Sequence, residues 1–124
     1  MPKAKPLILI VDDDESVREA IKGLMRSLGY KVEAVASAQE FLSAHFFPRT
    51  SCLIADMQMP GMTGLELYQR LSISGKRIPT ILITAYPDDG VRERARSAGI
   101  LGYLSKPFEQ DDLLACVRSA LTCS

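Results

Sequence analysis

The chain has 124 residues, of which 47% are apolar and 24% are charged, and its 15 basic residues balance its 15 acidic ones. This length and composition predict a single domain, residues 1–124, with a sizeable buried core. Because the net charge is zero, direct binding of nucleic acid or of an anionic membrane surface is disfavoured. The three cysteines lack C-x-x-C spacing, which favours a reducing cytoplasm over a disulfide framework or a zinc site.

Strands and helices alternate in the predicted structure from the first apolar run onward. Leu7 to Val11 is apolar throughout, as in a central parallel strand, and is too short for a signal peptide or a membrane span. An amphipathic helix follows and ends at Gly29. Lys31 to Ala36 alternates polar and apolar residues, which indicates an edge strand. Ser37 to Glu40 has capping-box spacing and begins a short second helix before Pro48.

The second part of the chain continues this alternation. Cys52 to Asp56 is predicted as a buried strand, and the capping-box spacing of Thr63 to Glu66 begins a third helix. Thr80 to Thr84 is a further buried strand, and Ile100 to Leu104 is the last. The final helix carries Leu113, Leu114, Val117 and Leu121. Five strand-helix units with short connections predict a parallel sheet with helices on both faces.

The fourth predicted helix, about Asp88 to Ala98, has a weak apolar stripe. Only Val91, Ala95 and Ala98 occupy it. A buried alanine contributes much less to stability than a buried leucine. We therefore expect this helix to be the most easily displaced element of the fold.

Acidic, hydroxyl and cationic side chains stand directly after the apolar strands. The ends of parallel strands meet at one edge of a sheet, where ligands bind in open α/β folds. Three neighbouring carboxylates raise one another's pKa and attract a hard divalent cation, Mg²⁺ or Mn²⁺. A phosphoryl group could then approach an aspartate, with its charge shared by the metal, an ammonium and a hydroxyl. The residues concerned are Asp12, Asp13, Asp56, Thr84 and Lys106.

The chain resembles the receiver domain of two-component response regulators over essentially its whole length. The matching segments are Ile10 to Asp13, Asp56 to Gly64, Thr84-Ala85 and Tyr103 to Phe108. Each segment alone is a weak signal, but all of them in this order and spacing are specific. The resemblance implies a flavodoxin-like, doubly wound, five-stranded parallel sheet of order 2-1-3-4-5 with five helices. It places the site between strands one and three.

The resemblance also implies a role for each site residue. Asp56 corresponds to the phosphoacceptor, which a sensor histidine kinase phosphorylates. Asp13 corresponds to a direct Mg²⁺ ligand and Asp12 to a ligand through water, and Asp56 adds a carboxylate oxygen. The backbone carbonyl of Gln58 completes the protein ligands.

Two further residues of the motif are expected to bind the phosphoryl group. Lys106 and Thr84 correspond to the partners of its oxygens, and the Lys106-Pro107 bond is a candidate cis peptide. When Thr84 swings toward the phosphoryl group, Tyr103 turns inward from a solvent-exposed position. The surface of the fourth helix, last strand and fifth helix then changes.

Gln58 and Tyr86 occupy positions that in the family tune the loss of the acyl phosphate. We hypothesise that the bulky Tyr86 hinders the attacking water and lengthens the phosphorylated state.

These observations predict a cytoplasmic, phosphorylation-activated signalling switch rather than an enzyme with an external product. It hydrolyses its own acyl phosphate slowly and works by altered partner binding. The output partner stays unidentified, and a phosphorylation-dependent homodimer stays open. We expect either a complete single-domain regulator or a piece of a longer one.

The sequence is less compatible with three other functions. A hydrolase of the haloacid-dehalogenase type would need a second acid at the position of Gln58, and a cap domain. A flavodoxin-like electron carrier would need a phosphate loop where Asp12, Asp13 and Asp14 stand. A receiver-like scaffold that no longer accepts phosphate is not favoured, because the acidic, threonine and lysine set is present.

Structural roles are the alternative for several residues. The acids after the first strand can cap the helix, a role that suits Asp14 best. Asp56 can be an ordinary strand-end acid, Thr84 a strand former, Tyr103 a packing residue and Lys106 half of a surface ion pair. We expect His45 to be a packing residue and Cys52, Cys116 and Cys123 to act as small hydrophobic residues. Met57, Met59 and Met62 are expected to line the loop near Asp56. Arg92, Arg94 and Arg96 are expected to form a solvated face or a partner interface.

Overall fold

Five parallel strands form one sheet in a computed structural model of the chain, which describes residues 6–43 and 49–122. The strands pair in the order β2-β1-β3-β4-β5. This order confirms the predicted doubly wound topology, with β2 at an edge and the change of winding direction between β1 and β3. The strands are β1 (Leu7–Val11), β2 (Lys31–Val35), β3 (Thr50–Asp56), β4 (Thr80–Thr84) and β5 (Gly102–Ser105).

Helices cover both faces of the sheet. They are α1 (Glu15–Ser27), α2 (Ala38–Ser43), α3 (Gly64–Ile73), α4 (Asp89–Ala98) and α5 (Gln110–Thr122). Alternate residues of each strand point to opposite faces. In β1, Ile8 and Ile10 therefore join one apolar cluster with buried residues of α1 and α5, whereas Leu9 and Val11 join the other with residues of α2, α3 and α4.

Two strand boundaries differ from the sequence prediction. β3 begins two residues earlier, at Thr50, because the pairing with β1 shifts register there and the Ser51 hydroxyl accepts a hydrogen bond from the Leu7 N–H (3.3 Å). β5 begins two residues later than Ile100. The Ile100 N–H donates to the Ala95 carbonyl and so belongs to the end of α4, where Gly99 adopts a left-handed conformation (φ 108°).

The helix caps agree largely with the predicted ones. Asp14 caps α1, and Thr63 with Glu66 forms a complete capping box at α3. The box predicted at α2 is only half present. The Ser37 hydroxyl accepts from the Glu40 N–H, but the Glu40 carboxylate accepts from Ala36, one residue before the expected donor. The predictions for His45, Pro48 and Cys123 lie outside the described residues.

Cys52 and Cys116 lie on the face of the sheet that α1 and α5 cover. Cys52 is buried in β3, and burial, together with the nearby Cys116, raises the pKa of its thiol to about 12. Burial and the charge of Asp112 also raise the pKa of Cys116. Both are free cysteines within the described residues, as expected for small apolar packing groups. No helix within the described ranges is long and apolar enough to cross a bilayer.

Few side chains anchor α4 to the sheet. Ala95 is its buried residue, whereas α3 buries Leu65, Leu67 and Leu71, and α5 buries Leu113, Val117 and Ala120. Because hydrophobic stabilisation scales with buried apolar area, α4 has the weaker attachment.

We predict that backbone amides of α4 exchange hydrogen with solvent about tenfold or more faster than those of α3 and α5, since local opening requires less free energy where fewer apolar groups are buried. Hydrogen-exchange mass spectrometry with peptide resolution measures this, and α3 and α5 serve as internal controls. Equal protection of the three helices would show that α4 opens only with the whole domain.

Candidate functional site

The turn after β1 buries one acid and exposes the next. Asp12 is fully buried, and its Oδ1 accepts from the Asp14 N–H (2.8 Å), so the turn is fixed before α1 begins. The Asp12 carbonyl accepts from the Arg18 guanidinium (2.7 Å), which reaches back from α1. Asp13 is exposed at the rim. Of the three acids, Asp14 therefore caps the helix, and the other two remain available for a different role.

Asp56 is the last residue of β3 and is almost fully buried. Its Oδ1 accepts from the Gln58 N–H (3.1 Å). The chain then turns through Pro60 and Gly61 and begins α3 directly against the strand end. A Cβ at Gly64 would lie 2.7 Å from the Asp56 carbonyl oxygen, so this close approach requires glycine.

Lys106 connects the two buried acids. Its Nζ lies 3.1 Å from Asp12 Oδ2 and 3.3 Å from Asp56 Oδ2. Its backbone N–H donates to the Thr84 carbonyl (2.7 Å), and the Lys106-Pro107 peptide bond is cis, as expected. Residues predicted from separate strand ends thus converge at one edge of the sheet.

Burial and charge act against each other in this cluster. Burial raises the pKa of the Asp56 carboxyl above its ordinary value, and the Asp12 charge adds to the rise, although the Gln58 N–H and Lys106 oppose it. Burial alone would lower the pKa of the Lys106 ammonium. The hydrogen bonds and charges of Asp12 and Asp56 outweigh that effect, and the pKa of Lys106 is raised. Lys106 therefore stays charged at neutral pH.

The three carboxylates suit a divalent metal ion. One oxygen from each of Asp12, Asp13 and Asp56 lies within 4.8 Å of the others. Three carboxylates and one ammonium leave an excess of negative charge when all are ionised. Asp12 Oδ2 is buried beside the Lys106 ammonium (3.1 Å), and a carboxylate oxygen keeps further lone pairs with which it can act as a ligand. Oxygen ligands and excess negative charge are what Mg²⁺ requires.

Thr84 is fully buried at the end of β4, next to the acids. Its hydroxyl donates to Gln58 Oε1 (2.9 Å) and accepts from the Tyr86 N–H (3.0 Å). The predicted phosphoryl-binding hydroxyl is therefore near the site, but its proton is held by a neighbouring side chain in this structure.

Tyr103 lies on β5 beneath the start of α4. Its hydroxyl accepts from the Asp88 N–H (3.4 Å), and the Arg92 guanidinium lies 5.1 Å from the ring centroid, within the range of a cation–π interaction. The ring is half-buried and packs against the apolar cluster of the α3 and α4 face. The solvent-exposed starting position that we expected is therefore not observed, because contacts with α4 already hold the ring.

The methionines of the loop after Asp56 have a packing role. Met59 is buried, and Met57 and Met62 are partly buried against the same apolar cluster. They were predicted to line the loop near Asp56, and in the structure they extend the apolar cluster beneath that loop.

Three residues make side-chain contacts at the site that were not predicted from the sequence. These contacts are the bond of Arg18 to the Asp12 carbonyl, the bonds of the Gln58 carboxamide and the stacking of Arg92 on Tyr103. The contact of Arg18 could have been inferred from its position in the sequence, because a cation close to the start of a helix opposes the helix dipole and needs a compensating partner. No local pattern in the sequence indicates the contacts of Gln58 or of Arg92.

Comparison with known proteins gives a consistent picture. The chain matches the response regulator receiver domain family over residues 8–118. It is 39% identical over 121 residues, 98% of its length, to the response regulator protein TmoT of Ectopseudomonas mendocina, of which the match covers 55%. Among solved structures, the response regulator StyR has a TM-score of 0.88 at 43% identity, over 97% of this chain and 61% of that one.

A second solved structure supports the fold over a whole chain. The chemotaxis protein CheY4 of Vibrio cholerae has a TM-score of 0.85 at 28% identity, and the match covers 95% of this chain and 100% of CheY4. By contrast, the chain spans about half the length of the curated relatives that it matches.

We predict that Lys106→Met binds Mg²⁺ at least about fivefold more tightly than the unchanged chain. A unit charge about 4 Å away is worth on the order of 1 kcal/mol even at the dielectric constant of water, and Lys106 repels an incoming cation. Isothermal titration calorimetry measures the affinity. Lys22→Met, which removes the same charge from an ion pair on α1, is the control and should bind as before. Unchanged or weaker binding by Lys106→Met would contradict the electrostatic account.

Proposed function

The chain belongs to the family of response regulator receiver domains, and from this membership we propose that it accepts a phosphoryl group on Asp56 from a sensor histidine kinase. Receiver domains of this family serve phosphorylation-dependent signalling. The observation that carries the assignment is the ammonium of Lys106 between Asp12 and Asp56, at the ends of three different strands.

Asp56 is the acceptor in this proposal. A carboxylate oxygen attacks phosphorus, the bond between phosphorus and the donor nitrogen breaks, and an acyl phosphate forms. Its slow hydrolysis returns the carboxylate and inorganic phosphate. Asp56 suits the role because it is fixed by the Gln58 N–H and shielded from bulk water.

Asp12, Asp13 and Asp56 would hold Mg²⁺, together with the Gln58 backbone carbonyl. When bound, the metal supplies positive charge that stabilises the phosphoryl oxygens. Lys106 supplies a second, permanent charge, and Thr84 supplies a hydroxyl donor once it leaves Gln58.

The output lies on the surface of α4, β5 and α5. Phosphorylation adds roughly −1.5 to −2 charges near the connection between β4 and α4, and α4 is the helix with few buried residues. A shift of Thr84 and Tyr103 would therefore move α4 at small energetic cost. This face binds the downstream partner, with a phosphorylation-dependent homodimer as one arrangement, and a cytoplasmic setting suits a sensor kinase donor.

The alternative enzyme function has less support. A haloacid-dehalogenase-type hydrolase would use an acid at residue 58, and Gln58 instead presents a carboxamide to Thr84. A flavodoxin-like carrier would need its phosphate loop where Asp12 and Asp13 stand.

We predict that incubation with a small phosphodonor and Mg²⁺ adds the mass of one phosphoryl group to the chain. Asp56→Asn should show no gain, because an amide cannot form the acyl phosphate, whereas Asp111→Asn on α5 should gain it like the unchanged chain. Intact mass spectrometry measures the product, and size-exclusion chromatography of the same sample reports dimerisation. A gain that persists in Asp56→Asn would overturn the assignment of the acceptor.

We predict that Tyr86→Ala loses the acyl phosphate several-fold faster than the unchanged chain, because the large, exposed Tyr86 ring hinders the attacking water. Tyr86→Phe keeps the bulk and should keep the lifetime. The decay of the phosphorylated mass after removal of the donor measures the rate. An unchanged or slower loss in Tyr86→Ala rules the hypothesis out.

A further inference from the structure

The carboxamide oxygen of Gln58 accepts two hydrogen bonds, one from the last residue of β4 and one from the residue after it. The Thr84 hydroxyl donates to it at 2.9 Å, and the Ala85 N–H donates at 3.2 Å. Gln58 itself is exposed, whereas Thr84 beneath it is fully buried. One exposed side chain therefore joins the loop after Asp56 to the connection that leads into α4.

These bonds restrict what the Thr84 hydroxyl can do. A hydroxyl has a single proton to donate. In this structure the proton lies toward Gln58, while Thr84 Oγ1 accepts from the Tyr86 N–H. Thr84 can donate to a phosphoryl oxygen on Asp56 only after its bond to Gln58 breaks.

We propose that the Gln58 side chain is a latch that holds Thr84 in its resting position and thereby weakens binding of a phosphoryl group at Asp56. This rests on the proposed function, and it concerns an equilibrium between two partners for one hydroxyl proton. This effect of the latch on phosphoryl binding is distinct from the access of water to the acyl phosphate. By linkage, the factor by which the latch weakens phosphoryl binding equals the factor by which a bound phosphoryl group opens the latch.

The latch also reaches the output surface. The bond between Ala85 and Gln58 lies three residues before Asp88, which caps α4 and whose N–H contacts the Tyr103 hydroxyl. Opening the latch therefore frees both the Thr84 hydroxyl and Ala85, the first residue of the connection to α4. Gln58 is in this sense a positioning residue, which acts through Thr84 and Ala85.

Beryllofluoride, a stable mimic of the phosphoryl group, tests this with the whole chain and excess Mg²⁺. Gln58→Leu removes the acceptor and keeps a similar volume, so it should bind beryllofluoride about two- to twelvefold more tightly, the range that one net hydrogen bond represents. Gln58→Asn, which shortens the side chain by one methylene group and so draws the carboxamide back from Thr84, should shift the affinity in the same direction. Gln69→Leu makes the same change at an exposed position of α3 and should leave the affinity unchanged.

A second measurement needs neither metal nor phosphoryl mimic. In the free chain, Gln58→Leu should speed hydrogen exchange of the Ala85 amide, measured by NMR, and Gln69→Leu should not. Thermal unfolding of each variant checks that the fold is kept.

The outcomes separate the two proposals. If the unchanged chain does not bind beryllofluoride, the proposed function is wrong and the latch with it. If it binds, but Gln58→Leu binds equally or more weakly, only the latch is wrong. Unchanged Ala85 exchange in Gln58→Leu would likewise overturn the latch.

Discussion

The contact of one ammonium with two buried carboxylates is the constraint on which this site depends. Lys106 follows β5, Asp12 follows β1 and Asp56 ends β3, so the contact forms only when the sheet has its full order. Buried carboxylates without compensation would strongly destabilise the fold. Lys106 thus stabilises an acidic cluster that still has room for further positive charge, which is the condition that the proposed binding of a metal ion and a phosphoryl group requires.

Local patterns in the sequence determined most of the elements correctly. Leu7 to Val11 is apolar at every position, Thr80 to Thr84 has an apolar centre between two buried threonines, and the helix caps at Asp14 and Thr63 are made by residues a few positions apart. The start of β5 was missed because Ile100 has an apolar side chain but gives its N–H to α4. A strand predicted from side chains alone cannot reveal which backbone donors a helix end has already used.

The site likewise contains residues whose positions the sequence predicts and contacts that it does not predict. Asp12, Asp13, Asp56 and Lys106 were predicted to converge because each follows a strand, and parallel topology brings strand ends together. Their partners were harder to predict. Gln58 and Thr84 are 26 positions apart, and the contact depends on the conformation of two loops. The energies involved are small, since a net hydrogen bond contributes roughly 0.5–1.5 kcal/mol and an exposed cation–π pair about 0.5–1 kcal/mol.

The burial of Cys52 has a consequence for chemical probing of this fold. Its thiol lies between β3 and the helices α1 and α5, and a pKa of about 12 leaves almost no thiolate at neutral pH. An alkylating reagent needs both access and thiolate. Modification of Cys52 therefore requires that the helices on this face separate from the sheet, and its rate would report how often the face opposite α4 opens. The alkylation rate of Cys52 would therefore measure local opening of the core at a position away from the acidic cluster.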